Sequence, residues 1–383
     1  MSTLDPQAMI AEARAQCGLA DFGDEDFRAP LEVLARSMVE EARLSARGRE
    51  FQHLTLVQAL VTRLRVHDYC ARHPAIEREP LPAPLVIAGL QRTGTTKLQR
   101  VIATDPRWHV LLLWESMFPV PLADDADPAG ERARRIALAR DYAEEHNTSG
   151  AGAAHLLDPL APEEEVLLML KSFLVPCYDM HTPAHQAWIE AADKRPMYRD
   201  LRRLLQFLQW QRGGTPGRRW LLKAGEHLAN LGVLFDVFPD AKVVQTHRHP
   251  AASVASMLQL VDLIHRRYSD AVDRLALGRL WLANLSHTVA SSLRYRDAHP
   301  GTAILDVAFR DVVADAAGTV RRIYAFAGAE FTPDTAGAIQ AWDRDNPAGK
   351  HGEHHYALAD FGLDEAQVES AFADYIARFG HLF

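Results

Sequence analysis

The stretch Pro84-Leu85-Val86-Ile87-Ala88-Gly89-Leu90-Gln91-Arg92-Thr93-Gly94-Thr95-Thr96-Lys97-Leu98 decides the fold. Its apolar residues 85–88 follow a proline and are typical of a short buried strand. Two glycines and two threonines come next, and apolar residues then recur at helical spacing from residue 98. The pattern predicts a strand, a glycine loop and the start of a helix. The free backbone N–H groups of such a loop, together with the helix dipole, bind a phosphate or a similar oxyanion.

This stretch departs from the Walker A loop, GxxxxGK[ST], at one informative position. Thr95 stands where the Walker lysine would reach the β- and γ-phosphates of a nucleoside triphosphate. Arg92, inside the loop, instead places a cation at a different point. We find no obvious Walker B acid pair either, so a magnesium-dependent phosphoryl transferase is poorly supported.

Two later segments repeat the order of strand, cation and helix. Residues 220–222 read as a strand that ends in Lys223, and residues 243–246 read as a strand followed by Arg248. Pro250 opens the next helix, in which Ser256 lies in the second turn. A guanidinium fork and a hydroxyl in this arrangement can hold one anion between them. The carboxyl ends of parallel strands are where open α/β sheets bind ligands.

Two residues are candidates for a general base. The apolar run at residues 110–114 predicts a second strand that ends at Glu115, although Glu115 could equally be a salt-bridged structural acid. His155 follows a polar, glycine-rich approach that could form a flexible lid. Glu163, Glu164 and Glu165 are better explained as charges in the first turn of a helix at about 163–175 than as metal ligands.

A glycine-bearing basic segment near the C-terminus is rich in histidine. It contains Lys350 and Gly352 together with histidines at 351, 354 and 355. The spacing is unlike that of HExxH zinc sites and no cysteines accompany it, so we assign no metal to the chain. A cationic loop that closes over an anion, with Lys350 as its charge, is the better interpretation.

Composition limits the classes of function. The formal net charge of -8 argues against broad nucleic-acid binding, so an anion site must be a local concentration of cations. The three cysteines are widely spaced, and the first residues lack a long apolar core. We therefore expect a cytoplasmic protein with no transmembrane segment, and the sequence leaves a homodimer open. Residues 1–80 read as a helical extension packed on an α/β domain of residues 81–383.

Sulfuryl transfer fits these features better than phosphoryl transfer. A sulfuryl group carries less negative charge, so side-chain cations and backbone N–H groups could stabilise its transfer without a metal. The reaction needs a base for the acceptor hydroxyl, a cation for the leaving phosphate and a second anion site.

At this point the chain resembles the PAPS-dependent sulfotransferases, in particular a bacterial branch related to tyrosylprotein sulfotransferases. Residues 89–96 look like the 5′-phosphosulfate loop of that family, and residues 238–256, with Arg248 and Ser256, look like its 3′-phosphate motif. Trp114-Glu115 matches the place of the catalytic glutamate, and Lys223 matches a lysine-bearing strand. The resemblance covers roughly residues 84–360. The chain departs from the family pattern at Gln91, Lys97, Ala224-Gly225 and His249.

The resemblance implies an α/β fold with a P-loop-like central parallel sheet flanked by helices and a helical N-terminal extension. It implies 3′-phosphoadenosine 5′-phosphosulfate as the donor co-substrate, and a hydroxyl of a small-molecule, lipid or sugar acceptor. The catalytic candidates are Glu115, Arg92, Lys223 and His155. The donor-binding candidates are Gln91, Arg92, Thr93, Gly94, Thr95, Thr96, Arg248, Ser256, Lys350 and Gly352. The alternatives are a nucleotide-dependent kinase and a non-catalytic nucleotide-binding scaffold.

Overall fold

A parallel sheet forms the centre of the protein. The computed structural model describes residues 4–123, 127–214, 217–346 and 357–383. Within them, the strands are β1 (Leu85–Gly89), β2 (Trp108–Val110), β3 (Arg219–Lys223), β4 (Lys242–His247) and β5 (Ile304–Ala308). The strands pair in parallel, in the order β2-β3-β1-β4-β5. The predicted α/β fold with a central parallel sheet is therefore confirmed.

Helices connect the strands and extend the chain at both ends. In chain order they are α1 (Pro6–Cys17), α2 (Arg28–Glu40), α3 (Ala46–Arg72), α4 (Thr95–Ile102), α5 (Leu113–Met117), α6 (Pro128–Thr148), α7 (Ala151–Ala154), α8 (Val166–Met169), α9 (Pro183–Ala191), α10 (Arg195–Gln211), α11 (Glu226–Ala229), α12 (Leu231–Val237), α13 (Pro250–Tyr268), α14 (Arg274–Ala298), α15 (Phe309–Ala314), α16 (Ala316–Ala327), α17 (Pro333–Asp345), α18 (Glu365–Ala371) and α19 (Ala373–Phe379). None of the described helices combines the length and the apolar character needed to cross a bilayer.

The central strand β1 is buried on both faces, which explains its unbroken apolar sequence. Leu85 and Ile87 point into a cluster with residues of α4 and α16. Val86 and Ala88 point the other way, into a cluster with residues of α10 and α12. Because side chains alternate along a strand, five consecutive small or apolar residues let β1 pack against the helices on both faces of the sheet.

The segment after β2 differs from the prediction. The second strand ends at Val110, so the predicted position of Glu115 at a strand end is wrong, and Glu115 lies in the short helix α5. The carboxylate of Glu115 accepts a hydrogen bond from the Leu112 N–H at 3.0 Å and thereby caps this helix. The backbone at Leu112 bridges to Pro162 rather than continuing along β3.

The predicted helix at 163–175 is also shorter than expected. Glu163, at the predicted start of this helix, is instead in contact with the segment after β2, because its N–H donates to the Leu111 carbonyl at 2.8 Å. Helix α8 begins only at Val166, and it passes into a 3-10 turn over Leu170–Ser172. Phe173 then ends the turn with a left-handed φ of 60°.

The N-terminal helices pack against later parts of the chain. Residues of α1, α2 and α3 share an apolar cluster with Phe173 and Tyr268. The backbones meet closely here, because the Ser45 N–H donates to the Tyr268 carbonyl at 2.9 Å. A Cβ added to Gly48 would lie far inside van der Waals contact with the same carbonyl. The division of the chain at residue 80 stays a prediction.

We predict that Gly48→Ala weakens the packing between α3 and the end of α13. The new methyl group would meet backbone rather than a movable side chain, so the substitution should lower the free energy of unfolding by about 1–3 kcal/mol or more. Gly337→Ala is the matched control, because its Cβ would enter open space in helix α17 and should stabilise the chain by roughly 0.5–1 kcal/mol. Urea unfolding of both variants checks this, and equal effects would contradict the close contact.

Candidate active site

Three neighbouring strands carry the predicted anion-binding residues to one edge of the sheet. Lys223 ends β3, residues 90–94 form the loop after β1, and Arg248 follows β4. The strands β3, β1 and β4 are adjacent and parallel, so their carboxyl ends meet at this edge. We call residues 90–94 the phosphate loop.

The phosphate loop is held tightly against β4. The Thr93 hydroxyl donates to the Leu90 carbonyl at 2.6 Å and lies 2.6 Å from the Thr246 hydroxyl oxygen. Gly94 has a φ of 86° and precedes α4 without a side-chain cap. The first-turn N–H groups of α4 have no intrahelical acceptor, so this helix start can bind an anion.

The two predicted donor motifs touch each other. The Nε of Arg92 donates to the Ser256 hydroxyl at 2.9 Å, and Nη1 of Arg248 donates to the Arg92 carbonyl at 3.0 Å. The Arg248 guanidinium also lies 4.6 Å from the centre of the Phe309 ring. A Cβ on Gly94 would come within 2.7 Å of that same ring. The cations of the two motifs therefore belong to one continuous site.

Lys223 is surrounded by the acids that the sequence analysis treated as helix-terminal charges. Its ammonium group forms an ion pair with Glu164 and donates to the Thr96 hydroxyl at 3.3 Å. Its backbone N–H donates to Glu165 at 2.8 Å, and Glu165 also lies 2.6 Å from Nε2 of His227. The sequence signal for Glu164 was three consecutive acids, which the sequence analysis explained better as helix-terminal charges than as metal ligands.

Glu115 is buried in a different set of contacts. Its carboxylate oxygens lie 2.5 Å from Nη2 and 3.2 Å from Nε of Arg212, a two-point ion pair. Arg212 also donates to the Val110 carbonyl at 2.9 Å. Within the described residues, no hydrogen bond or ion pair joins Glu115 to Lys223 or to the phosphate loop.

His155 pairs with Glu163, next to the acids around Lys223. Its Nε2 lies 3.2 Å from a carboxylate oxygen of Glu163. Burial acts to raise the pKa of Glu163, but the charges of His155 and Lys223 and a hydrogen bond from His155 outweigh it, and the pKa lies at about 2. Glu163 is therefore an anion at neutral pH.

A polar network connects the phosphate loop to a buried acid. The Gln91 amide donates to the Tyr178 hydroxyl at 3.0 Å, and Tyr178 in turn donates to Glu226. Burial, followed by the charge of Glu164, raises the pKa of Glu226 to about 8. A Cβ on Gly225 would lie 2.7 Å from the Gln91 amide nitrogen, so glycine makes room for this network. Gln91 and Ala224-Gly225, two of the departures from the family pattern, thus meet in space.

Two of the predicted donor-binding residues, Lys350 and Gly352, lie outside the described residues.

Comparisons with known proteins identify the family of the chain. The model of the sulfotransferase family matches residues 84–333. Sulfotransferase STF1 from Mycobacterium tuberculosis H37Rv is 28% identical over 96% of this chain and 98% of its own, with a TM-score of 0.80. Sulfotransferase STF9 from Mycobacterium avium has the same fold, with a TM-score of 0.87 at 24% identity over 99% of this chain and 97% of its own. No curated protein matches the chain.

The family match includes the phosphate loop, Lys223, Arg248 and Ser256. The predicted resemblance to sulfotransferases is therefore confirmed. The chain belongs to the sulfotransferase family and is an enzyme that transfers sulfuryl groups.

Proposed function

We propose that the enzyme uses 3′-phosphoadenosine 5′-phosphosulfate as donor and sulfates a hydroxyl of a small-molecule, lipid or sugar acceptor. The observation that supports this best is the contact between the two anion-binding motifs, through Arg92 with Ser256 and Arg248 with the Arg92 carbonyl. A nucleotide that carries anionic groups on both its 5′ and 3′ sides suits two joined anion sites. An ATP-type nucleotide, which has no 3′-phosphate, would leave one of them unused.

The residues fit such a donor. The uncapped start of α4 and the backbone of the loop, over Gln91, Thr93, Gly94, Thr95 and Thr96, suit the 5′ side. Arg248 and Ser256 suit the 3′-phosphate, and Lys350 and Gly352 remain predictions for closure over the nucleotide. The donor supplies an activated sulfuryl group with a phosphate leaving group.

Lys223 and Arg92 supply the positive charge that this reaction needs. Lys223 is almost fully buried, with 1% of its surface exposed, and its ammonium group lies beside Thr96 at the start of α4. A charge fixed in a water-poor site stabilises developing negative charge more strongly than the same charge in water. We assign Lys223 to the leaving phosphate, and Arg92 to the sulfuryl group.

We assign the general base to Glu164. It is the carboxylate paired with Lys223, and its side chain is one quarter exposed, so an acceptor can reach it. The ion pair places Glu164 beside the cation assigned to the leaving phosphate, where the reaction needs a base for the acceptor hydroxyl. Glu115, the base expected from the family resemblance, is the alternative, but its two-point pair with Arg212 occupies both carboxylate oxygens.

We predict that adenosine 3′,5′-bisphosphate stabilises the chain more than AMP or ATP does. Binding to the folded state alone raises the free energy of unfolding by about 2.7 kcal/mol at a ligand concentration of 100 Kd. Arg248→Ala should weaken bisphosphate binding through a lost charge-assisted contact worth roughly 1.5–3 kcal/mol. Thermal shift and calorimetric titration measure both effects.

Arg294→Ala is the matched control for Arg248→Ala. Arg294 lies at the surface, where its guanidinium donates to Ser291 of the same helix, and its loss should leave bisphosphate affinity unchanged. Equal stabilisation by ATP and the bisphosphate, together with a magnesium requirement, would favour the kinase. Tight bisphosphate binding without turnover on phenols, sugars, lipids or peptides would favour the scaffold.

We predict that Glu164→Gln lowers kcat by about 10²–10⁴, the usual cost of losing a general base. The rate is measured as transfer of label from the donor to an acceptor. The acceptor is whichever phenol, sugar, lipid or peptide the wild-type enzyme sulfates. Glu115→Gln and His155→Gln should lose clearly less kcat, since neither residue bonds Lys223 among the described contacts. All three variants should still bind the bisphosphate. An active Glu164→Gln enzyme beside an inactive, donor-binding Glu115→Gln enzyme would return the base to Glu115.

We predict that Glu226→Gln stabilises the chain increasingly as pH rises from 5 to 8. With a pKa of about 8 in the folded state, against an ordinary glutamate pKa of 4.5, Glu226 holds a proton that the unfolded chain has released. In that window the folded state binds more protons, so the contribution of Glu226 to stability falls as pH rises. Glutamine carries no charge and can still accept the Tyr178 hydrogen bond.

Urea unfolding at pH 5, 6, 7 and 8 measures the difference between this variant and the wild type. It should reach roughly 1–4 kcal/mol at pH 8, since one pKa unit corresponds to about 1.4 kcal/mol. Glu32→Gln, at an exposed position of α2, should show a difference that is small at every pH. A difference for Glu226→Gln that does not change with pH would mean that this carboxyl is ionised in the folded protein throughout the range.

A further inference from the structure

A group of metal-ligand side chains lies beside the segment that carries Arg248. His249 comes from the turn between β4 and α13, and Glu365 and Glu369 come from one face of α18. Each offers one ligand atom, and these atoms all lie within 4.8 Å of one another. Among the described residues, this is the only group of three or more histidines, cysteines and acids that is placed in this way.

His249 and Glu369 are spaced as an ion pair, and the same spacing suits two ligands of one metal ion. Nε2 of His249 lies 3.5 Å from Oε1 of Glu369. An N–H···O hydrogen bond is normally about 2.7–3.2 Å long. Two ligands bound at about 2.1 Å to a tetrahedral ion lie roughly 3.4 Å apart. Both glutamates are exposed, so small side-chain rotations can bring the third ligand in.

The charges also favour a cation. Glu365 and Glu369 are one turn apart on α18, where two negative charges repel each other. The helix sequence, Glu-Ala-Gln-Val-Glu-Ser-Ala, contains no lysine or arginine to offset them. One imidazole nitrogen with two carboxylates suits Zn²⁺ or a similar transition-metal ion, whereas Mg²⁺ and Ca²⁺ prefer sites made only of oxygen.

Both sides of this group are anchored in the fold. The His249 ring packs edge-on against Phe383, with 5.6 Å between the ring centres. Tyr375, on the helix after α18, has its hydroxyl 3.0 Å from Nδ1 of His247, near the end of β4. The C-terminal segment therefore already contacts β4 and the turn after it, and an ion at His249 would strengthen this connection.

We propose that His249, Glu365 and Glu369 bind a divalent transition-metal ion, best fitted by Zn²⁺, which fastens α18 to the segment carrying Arg248. The three side chains supply three ligands, and water completes the coordination. The ion is structural and takes no part in sulfuryl transfer. The site thus gives a role to His249, one of the positions at which the chain departs from the family pattern. The site does not depend on the identity of the donor.

Titration of the full-length, metal-free chain with Zn²⁺ tests the proposal. The chain has 18 histidines, and others among them can bind Zn²⁺, so the change in stoichiometry between variants is the decisive quantity. His249→Ala should bind one equivalent fewer than the wild type, or bind that equivalent at least about tenfold more weakly. Glu369→Gln should weaken the same equivalent. His287→Ala, at an exposed position of α14, is the matched control and should retain it.

Hydrogen exchange gives a second measurement, because Zn²⁺ bound to other histidines would not slow exchange at α18. Zn²⁺ should slow amide exchange in residues 365–371 of the wild type and of His287→Ala, and should not do so in His249→Ala. A large excess of Mg²⁺ should not reverse this protection. Equal stoichiometry, affinity and exchange in the wild type and in a folded His249→Ala variant would overturn the proposal, as would displacement of the ion by Mg²⁺.

Discussion

The close approach of β1 to β4 is the constraint on which the site depends. Gly89 lies so near Thr246 that a Cβ at this position would overlap the threonine hydroxyl. The space left by the glycine lets the hydroxyls of Thr93 and Thr246 meet at 2.6 Å. The phosphate loop is thus fixed to the strand that leads to Arg248. A side chain at residue 89 would push the phosphate loop away from the strand that leads to Arg248.

The sheet was predictable because its sequence signals are local. Residues 85–88 and 220–222 are short apolar runs followed directly by glycine and by lysine, and Val243-Val244 begins the strand that leads to Arg248. Buried parallel strands need such runs, since both of their faces are covered. The strand expected at 110–114 failed for a physical reason. An apolar run also suits a short buried helix, and the Glu115 carboxylate that caps this helix is visible only in three dimensions.

Residues of the candidate site were predictable where they lie just after a strand. Contacts between residues far apart in the sequence were not. Arg92, Lys223 and Arg248 each have a strand beside them in the sequence. Glu164 reaches Lys223 from a distant loop, and no spacing rule connects the two residues. The same holds for Gln91, whose partner Tyr178 belongs to another distant segment. Such pairs form because buried polar groups need partners, and packing selects which partners are near.

The position of β1 in the sheet has a consequence for synthesis of the chain. Residue Leu85 pairs with Leu221 on one side and with Lys242 on the other. On the ribosome, the apolar central strand is therefore made long before either neighbour, while α1 and α3 can already pack together. Non-local pairing of this kind is slow and leaves strand edges exposed to aggregation. The nascent enzyme therefore cannot assemble its phosphate loop until β4 has left the exit tunnel, and the edges of β1 stay unpaired during this interval.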